Sequence, residues 1–585
     1  MIWSRATLLL LCACTFLLGL GSPALTDSDE AFYAEASREM VESGDWLTPH
    51  FNYEDRWQKP VLYYWLTAAT YLITGASEGA ARFWAALSGV GLVLVTWAAA
   101  RTLGGVSASA QGFGARAVAS REGAPTRSAS TVDPAWLAAA IVATCFGYFA
   151  EARLALPDLP LAFCITLTIW AAFGTDLRWW MVAGLGAGLG LLIKGPVAVV
   201  IPALVLLPLW WRDRRSIDLR WSGPALAVLA AAVVGLPWYA AMWRTHGTEY
   251  LRYFFIENNV DRFATDAFNE PRPFWFYGPI LLGGMLPWTA YLVAFALDWL
   301  VSVVSGFRRR VQLRRTAGPP EGRHHQLSNA DWSIVLWASM PLLFYTVSIG
   351  KQPRYILPVL PPVAILMARG IAGRIERARA SATSRVLAAA TWGTAALFLA
   401  FAVLLARAQP LFISAYPALT WIAVAVVATS AVAIAIVAAT RRWDRLPAVM
   451  TTAAVLLLMS VQFGTFAGKR PEAVERMAAL VRSNRYGNEP VGEYEVFVRN
   501  LVFYLGFKQQ ALFDERNVIE FVRSPARVLL VLRSDNLAAV QEASGVNLKI
   551  LGRVPYLNSA NLKVRTLLAP DPSRDIETVF LVTNR

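Results

Sequence analysis

The sequence predicts a polytopic α-helical membrane protein of about thirteen transmembrane helices, followed by a small soluble α/β domain at the C-terminus. Three observations carry this fold class. Of the 585 residues, 56% are hydrophobic and only 16% charged, whereas a soluble domain averages about 45–50% and about 25%. Apolar windows of about 20 residues, the length that crosses a bilayer, recur as far as residue 466 and then stop. Arginines gather between alternate windows, the bias of loops kept on the cytoplasmic side.

In chain order the windows are 7–25, 80–101, 134–153, 158–175, 179–194, 196–211, 222–243, 275–303, 332–349, 354–369, 386–406, 418–440 and 446–466. The first also fits a cleaved signal peptide, with Arg5, a leucine-rich core and small residues near Pro23. Residues 61–76, VLYYWLTAATYLITGA, are short for a span and rich in Tyr and Trp, so they are expected to lie along the outer leaflet as a helix. Arginine-rich linkers at 101–132, 212–220, 307–326, 369–385 and 441–445 are placed in the cytoplasm. The part of the first of these at 104–130 is rich in Gly, Ala and Ser and reads as a flexible loop. The acid-rich loops within 26–79 and 245–274 go to the opposite, outer face, and together with residues 1–466 make up the membrane domain. Residues 467–585 alternate helical patterns (PEAVERMAALVRSNRY) with strand-like runs (RVLLVLR, NLKILGRV, TVFLVTN), and an odd number of spans puts them outside too.

Composition also excludes. The formal charge of +14 is accounted for by arginines between spans, so no nucleic-acid partner is expected. The four cysteines, Cys12, Cys14, Cys145 and Cys164, lie in apolar runs and form neither a spaced zinc site nor a disulfide framework. The histidine pair His324-His325 stands alone, and metal ligands stay unknown.

The dense polar clusters fall on the predicted outer face. Just past the first window, DSDEAFYAEASREMVESGDW reads as a helix, with Asp27 and Glu30 at capping-box spacing. Its Glu35, Glu39 and Glu42 are expected to face water. Asp29 and Glu30 stand at headgroup depth, where a carboxylate is costly without a partner. YEDRWQKPVLYYW adds Asp55, Arg56 and Lys59, the lysine beside Pro60 at a helix start where an anion can bind. Asp158, between Pro157 and Pro160, is either a helix cap or a catalytic acid. Lys194-Gly195-Pro196 breaks a long apolar run and leaves a lysine that either snorkels or meets a ligand. Arg82, Arg262, Arg272, Lys351, Arg354 and Tyr355 complete the set. Cations held against the positive-inside bias imply an anion, and at that depth the anion is a lipid phosphate.

Together the acidic loop, the QKPVLYYW start, LPDLP, the KGP break and KQPRYILPVLPP resemble the GT-C glycosyltransferases, and among them the bacterial aminoarabinose transferase family, relatives of the protein O-mannosyltransferases. The resemblance covers residues 1–370 in register, rests on span count to 466, and is faint beyond. It departs at Gln58, where the family carries an acid before the lysine. It implies a donor sugar, 4-amino-4-deoxy-L-arabinose, on undecaprenyl phosphate, a lipid A acceptor, and one inverting displacement at the periplasmic face of the bacterial inner membrane. Asp29, Glu30, Asp55 and Asp158 are then the catalytic candidates, and Lys59, Arg82, Lys194, Arg262, Arg272, Lys351, Arg354 and Tyr355 the binders of phosphate and sugar. No cofactor is implied as required; carboxylates on this face could hold a divalent metal, though no sequence motif supports one. Another polyprenyl-linked sugar, a protein or glycan acceptor, and a transporter are the alternatives.

Overall fold

The structure is a computed structural model that describes residues 4–25, 28–105, 132–174, 176–213, 221–266, 271–301, 329–380, 384–558 and 562–585. The Asp27 cap, His324-His325, the 104–130 loop beyond residue 105 and the whole 307–326 linker lie outside the described residues.

All thirteen apolar windows fall on helices. Among the described residues seven helices are long and apolar enough to cross a membrane, among them Glu78–Gly104, Pro353–Arg379, Arg385–Leu411 and Pro417–Thr440, and the protein is a multi-pass membrane protein. Others are shorter for identifiable reasons. The first window is helical only over Arg5–Cys12 and Ala13–Leu17, started by a reciprocal Ser4–Thr7 capping box. Residues 134–153 divide at Cys145, which takes extended backbone between Pro134–Thr144 and Phe146–Glu151. Residues 275–303 divide into Tyr277–Gly284 and Thr289–Val301.

At the KGP break, Gly195 has φ +93°, and a Cβ there would stand 2.7 Å from the Phe254 ring. Only glycine fits both the left-handed backbone and that contact. The turn ends the Leu177–Lys194 helix and starts Val197–Asp213, so Lys194 lies at a helix C-terminus.

The Leu62–Thr74 helix is 13 residues long, roughly 20 Å, too short for a hydrocarbon core of about 30 Å. It buries Tyr63, Tyr64, Thr67, Ala68 and Tyr71 while Leu72 and Ile73 remain exposed.

The Ser28–Ser43 helix corrects one expectation. Glu42 is exposed, but Glu35 and Glu39 are buried rather than facing water. Arg38 bridges Glu35 at 2.6 Å and Glu42 at 2.7 Å, and the Tyr53 N–H donates to Glu39 at 2.9 Å. The reason lies at the far end of the chain. The C-terminal region packs over this helix, with the Tyr53 hydroxyl donating to the Gly506 carbonyl at 3.0 Å.

That region holds a five-stranded sheet in the order Gln510–Leu512, Val491–Tyr494, Leu529–Arg533, Glu577–Thr583, Lys549–Tyr556. The first three strands are parallel and the others antiparallel. Leu529–Arg533, buried along Leu529 to Leu532, is central, hence its unbroken apolar run. The amphipathic Ala473–Asn484 helix covers one face with Val474, Met477, Ala478 and Val481. Contacts to the membrane segments are polar and specific. The Ala24 N–H donates to Glu472 at 2.8 Å, the Leu25 N–H to the Tyr504 hydroxyl at 2.8 Å, and Asn500 to the Leu25 carbonyl at 3.0 Å. Asn52 exchanges two hydrogen bonds with the Gln509 backbone.

Candidate active site: a cationic cavity

Three helix ends and a loop bring charge to one place. Asp158 is the first residue of the Asp158–Ala171 helix, set by Pro157 before it. Lys194 is the last of its helix. Lys59 precedes Pro60 at the start of Leu62–Thr74, and Arg354 and Tyr355 sit in the 3-10 turn Pro353–Val359. Arg262 follows the wide π-helical turn Arg252–Asp261. A cavity of about 440 Å³ is lined by Lys59, Asp158, Lys194, Asn258, Asn259, Arg262, Tyr345, Arg354 and Tyr355. Its other wall is apolar, with Leu161, Val197, Val200, Phe344 and Pro358. A charged end beside a greasy wall matches an anionic lipid.

The charges are unequally paired. Lys194 donates to Asp158 and lies 5.0 Å over the Tyr355 ring. Arg354 meets Asp29 at the rim, 3.2 Å away. Among the described residues Lys59 forms neither a hydrogen bond nor an ion pair. Burial first, then Arg262 and Lys194, hold its ammonium well below the usual lysine range. Among the described residues four cations line the cavity against a single lining carboxylate, Asp158, so the pocket carries excess positive charge. An anion bound there would relieve a cost that folding leaves standing. Gly350 sets the back wall, because any Cβ there would collide with the Arg262 carbonyl oxygen.

Of the twelve residues the sequence pointed to, the structure brings Lys59, Asp158, Lys194, Arg262, Arg354 and Tyr355 to the cavity and Asp29 to its rim. Lys351 is buried behind it and donates to the carbonyl of Ser348, itself a lining residue. Glu30 and Arg82 are not in the cavity wall. They form a buried ion pair at 2.6 Å, with Arg82 also donating to the Pro23 carbonyl at 2.7 Å and Glu30 accepting the Ala155 N–H at 2.9 Å. Asp55 lies on an exposed hairpin, 3.2 Å from His50 and 3.9 Å from His246. Arg272 is exposed and is not among the residues that line the cavity.

Tyr345 lines the cavity and was not singled out. It sits within an apolar helix, 5.2 Å from Tyr355, and reads there as an ordinary core aromatic. Asn258 and Asn259 donate to the Tyr253 and Phe254 carbonyls five residues back, a pattern specific to the π turn. Among the described residues no group of three His, Cys, Asp or Glu side chains is placed to hold a metal ion.

The family model described as dolichyl-phosphate-mannose-protein mannosyltransferase matches residues 4–113 and 127–246. An undecaprenyl phosphate-alpha-4-amino-4-deoxy-L-arabinose arabinosyl transferase of Edwardsiella ictaluri is 33% identical over 377 residues, 62% of this chain and 58% of the relative. One of Pseudomonas fluorescens is 33% identical over 385 residues, 64% of this chain and 60% of the relative. The chain thus matches about three fifths of the length of these relatives. Crystal structures of ArnT from Cupriavidus metallidurans align along nearly everything. The form bound to undecaprenyl phosphate gives a TM-score of 0.66 at 19% identity, covering 99% of this chain and 98% of that one. The apo form gives 0.69 at 19% identity, covering 99% and 97%. The chain thus shares the fold of these crystal structures and is similar in sequence to the aminoarabinose transferases over about three fifths of its length, where the motifs of its first 370 residues pointed.

Proposed function

We propose that this protein transfers 4-amino-4-deoxy-L-arabinose from undecaprenyl phosphate to a lipid A phosphate, with inversion, at the periplasmic face of the inner membrane. The single observation that carries the reading is Lys59, an ammonium unpaired among the described residues, in a cavity that is cationic at one end and apolar at the other. The arginine bias of the linkers supports the orientation, with the 26–79 and 245–274 loops and residues 467–585 together on the periplasmic side.

Lys59 and Arg262 bind the donor's phosphate, and Lys194 and Arg354 add to the field around it. As the C1–O bond breaks, its electron pair passes to the phosphate oxygen, and these cations stabilise the growing negative charge. The acceptor phosphate oxygen is already anionic and forms the new C1–O bond from the opposite face, so no proton need leave the nucleophile. Asp158 and Asp29 orient the sugar, its ammonium included, and stabilise positive charge at C1. The apolar wall takes the first isoprene units. Glu30, Arg82 and Lys351 hold the surrounding frame from outside the cavity.

The test is incubation of the purified protein with undecaprenyl-phosphoryl aminoarabinose and lipid A in detergent, followed by mass measurement of the lipid. Addition of one aminopentose residue supports the reading. A product only with a different polyprenyl-linked sugar, or only on a protein or glycan, replaces the substrate assignment. No transfer to any acceptor removes the enzymatic reading.

A further inference from the structure

Outside the cavity, a second pair of cations stands together on one aromatic ring. Arg56 is buried and lies 3.7 Å over the Phe32 ring, where its Nε donates to the Tyr64 hydroxyl at 3.0 Å. Arg499 comes from the C-terminal region, 467 positions further along the sequence than Phe32, yet its guanidinium stacks on the same ring at 4.6 Å and lies 5.8 Å from Phe513. Among the described residues neither guanidinium forms an ion pair.

Aromatic stacking orients a guanidinium and leaves its N–H fork free to meet an oxyanion. The backbone that presents Arg499 is unusual. Alternate residues Glu495, Phe497 and Arg499 have φ +58°, +53° and +80°, a conformation that side chains other than glycine rarely hold without a reason. The buried carboxyl that meets the Arg499 backbone does not neutralise its guanidinium, and the nearer Glu495 accepts from Asn536 instead. Glu493 accepts the Arg499 backbone N–H, and burial pushes its carboxyl up to about 8, so it is mostly uncharged at neutral pH. Asp29 is the acid that acts on Arg499, and it is shared with Arg354. Arg56 is close enough for its charge to act on Lys59 in the cavity. Arg56 and Arg499 therefore extend the positive field from the cavity to the C-terminal region, on the side where Asp29 marks the rim.

We propose that Arg56 and Arg499, stacked on Phe32, form a second anion subsite that receives the phosphate of the acceptor lipid. The C-terminal region thereby supplies a specificity-determining side chain to the reaction centre. The inference rests on the transferase reading for the identity of the acceptor, but its geometry is independent of turnover. Two phosphates then meet at Asp29 from opposite sides, the donor's held by Lys59 and Arg262 and the acceptor's by Arg56 and Arg499.

The test is binding, measured with three lipids in the same detergent: bis-phosphorylated lipid A, its dephosphorylated form, and undecaprenyl phosphate. The wild type should prefer the phosphorylated lipid A, and Arg499→Gln should weaken that lipid about tenfold or more while undecaprenyl phosphate binds as before. In the wild type, phosphorylated lipid A should also protect Arg499 from phenylglyoxal, read by mass spectrometry, a measurement that stands even if the variant does not accumulate. Equal loss of undecaprenyl phosphate in Arg499→Gln assigns the guanidinium to the donor and overturns the proposal. So does absence of protection, or equal protection by phosphatidylglycerol. Absence of sugar transfer together with the expected binding pattern removes the transferase reading and leaves the subsite standing.

Discussion

Lys194 and Asp158 pair across two helix ends of opposite polarity: the lysine is the last residue of Leu177–Lys194 and the aspartate the first of Asp158–Ala171. Each charge suits its own helix dipole as well as its partner, so the pair is a fixed corner of the cavity rather than a surface contact. Asp158→Asn keeps the shape and leaves the cavity more positive. Undecaprenyl phosphate should therefore bind as tightly as to wild type or more tightly, while kcat falls about a hundredfold or more through loss of charge stabilisation at C1. Single-turnover kinetics beside equilibrium binding read the two effects apart. Retained kcat would remove Asp158 from the chemistry.

Lys59 predicts a different signature. Lys59→Ala should weaken undecaprenyl phosphate by about 10- to 100-fold, the worth of a charged hydrogen bond, and more at low salt than at high. Its folded pKa lies below the unfolded value of 10.5, so the charged ammonium costs stability at low pH, and that cost is relieved as pH rises between the two values. Phosphate binding demands the proton back. Donor affinity should then decline as pH rises through the depressed pKa, before the usual lysine range. Lys59→Arg, always charged, should flatten the profile; an identical profile in both proteins would rule Lys59 out as its origin.

How much of this was legible in the sequence depends on which force shaped each residue. Spans were readable because hydrocarbon imposes length and composition on each helix separately. Lys59, Asp158 and Lys194 were readable because a charge at the end of an apolar run has few uses. Glu35 and Glu39 were misjudged because their helical spacing describes only the helix, and the surface that buries them comes from around Gly506. Arg499 gave no signal, since an arginine in a polar stretch becomes informative only when a fold stacks it on Phe32. The strands Val491–Tyr494 and Gln510–Leu512 are too short to stand out and owe their state to the longer Leu529–Arg533.

Glu493 predicts a pH dependence of stability. Burial raises its folded pKa from 4.5 to about 8. A carboxyl raised in this way contributes stability that is fully present below the unfolded value and is lost as pH rises through the folded one. Wild type should lose melting temperature between about pH 4.5 and 8, and Glu493→Gln, neutral throughout, should lose less. The gap between the two proteins should open toward pH 8 and close near pH 4.5 in scanning fluorimetry. A gap independent of pH would mean that Glu493 is already ionised in the fold.

Glu30 and Arg82 test whether charge near the site serves the site. Their 2.6 Å pair is buried on both sides and surrounded by the Leu20, Pro23 and Ala24 carbonyls and the Ala155 N–H. It ties the chain after the first helix to the segment that precedes Asp158. Arg82→Met alone leaves a carboxylate buried without its partner and should cost about 3–5 kcal/mol, whereas Glu30→Gln with Arg82→Met removes both charges and should recover much of that loss. The folded double variant should bind undecaprenyl phosphate within about threefold of wild type, because two charges of opposite sign have gone together. Thermal unfolding of the single and double variants, set beside donor affinity, gives the answer. If the double variant is stable yet fails to bind the donor, the pair acts on the ligand and not on the frame.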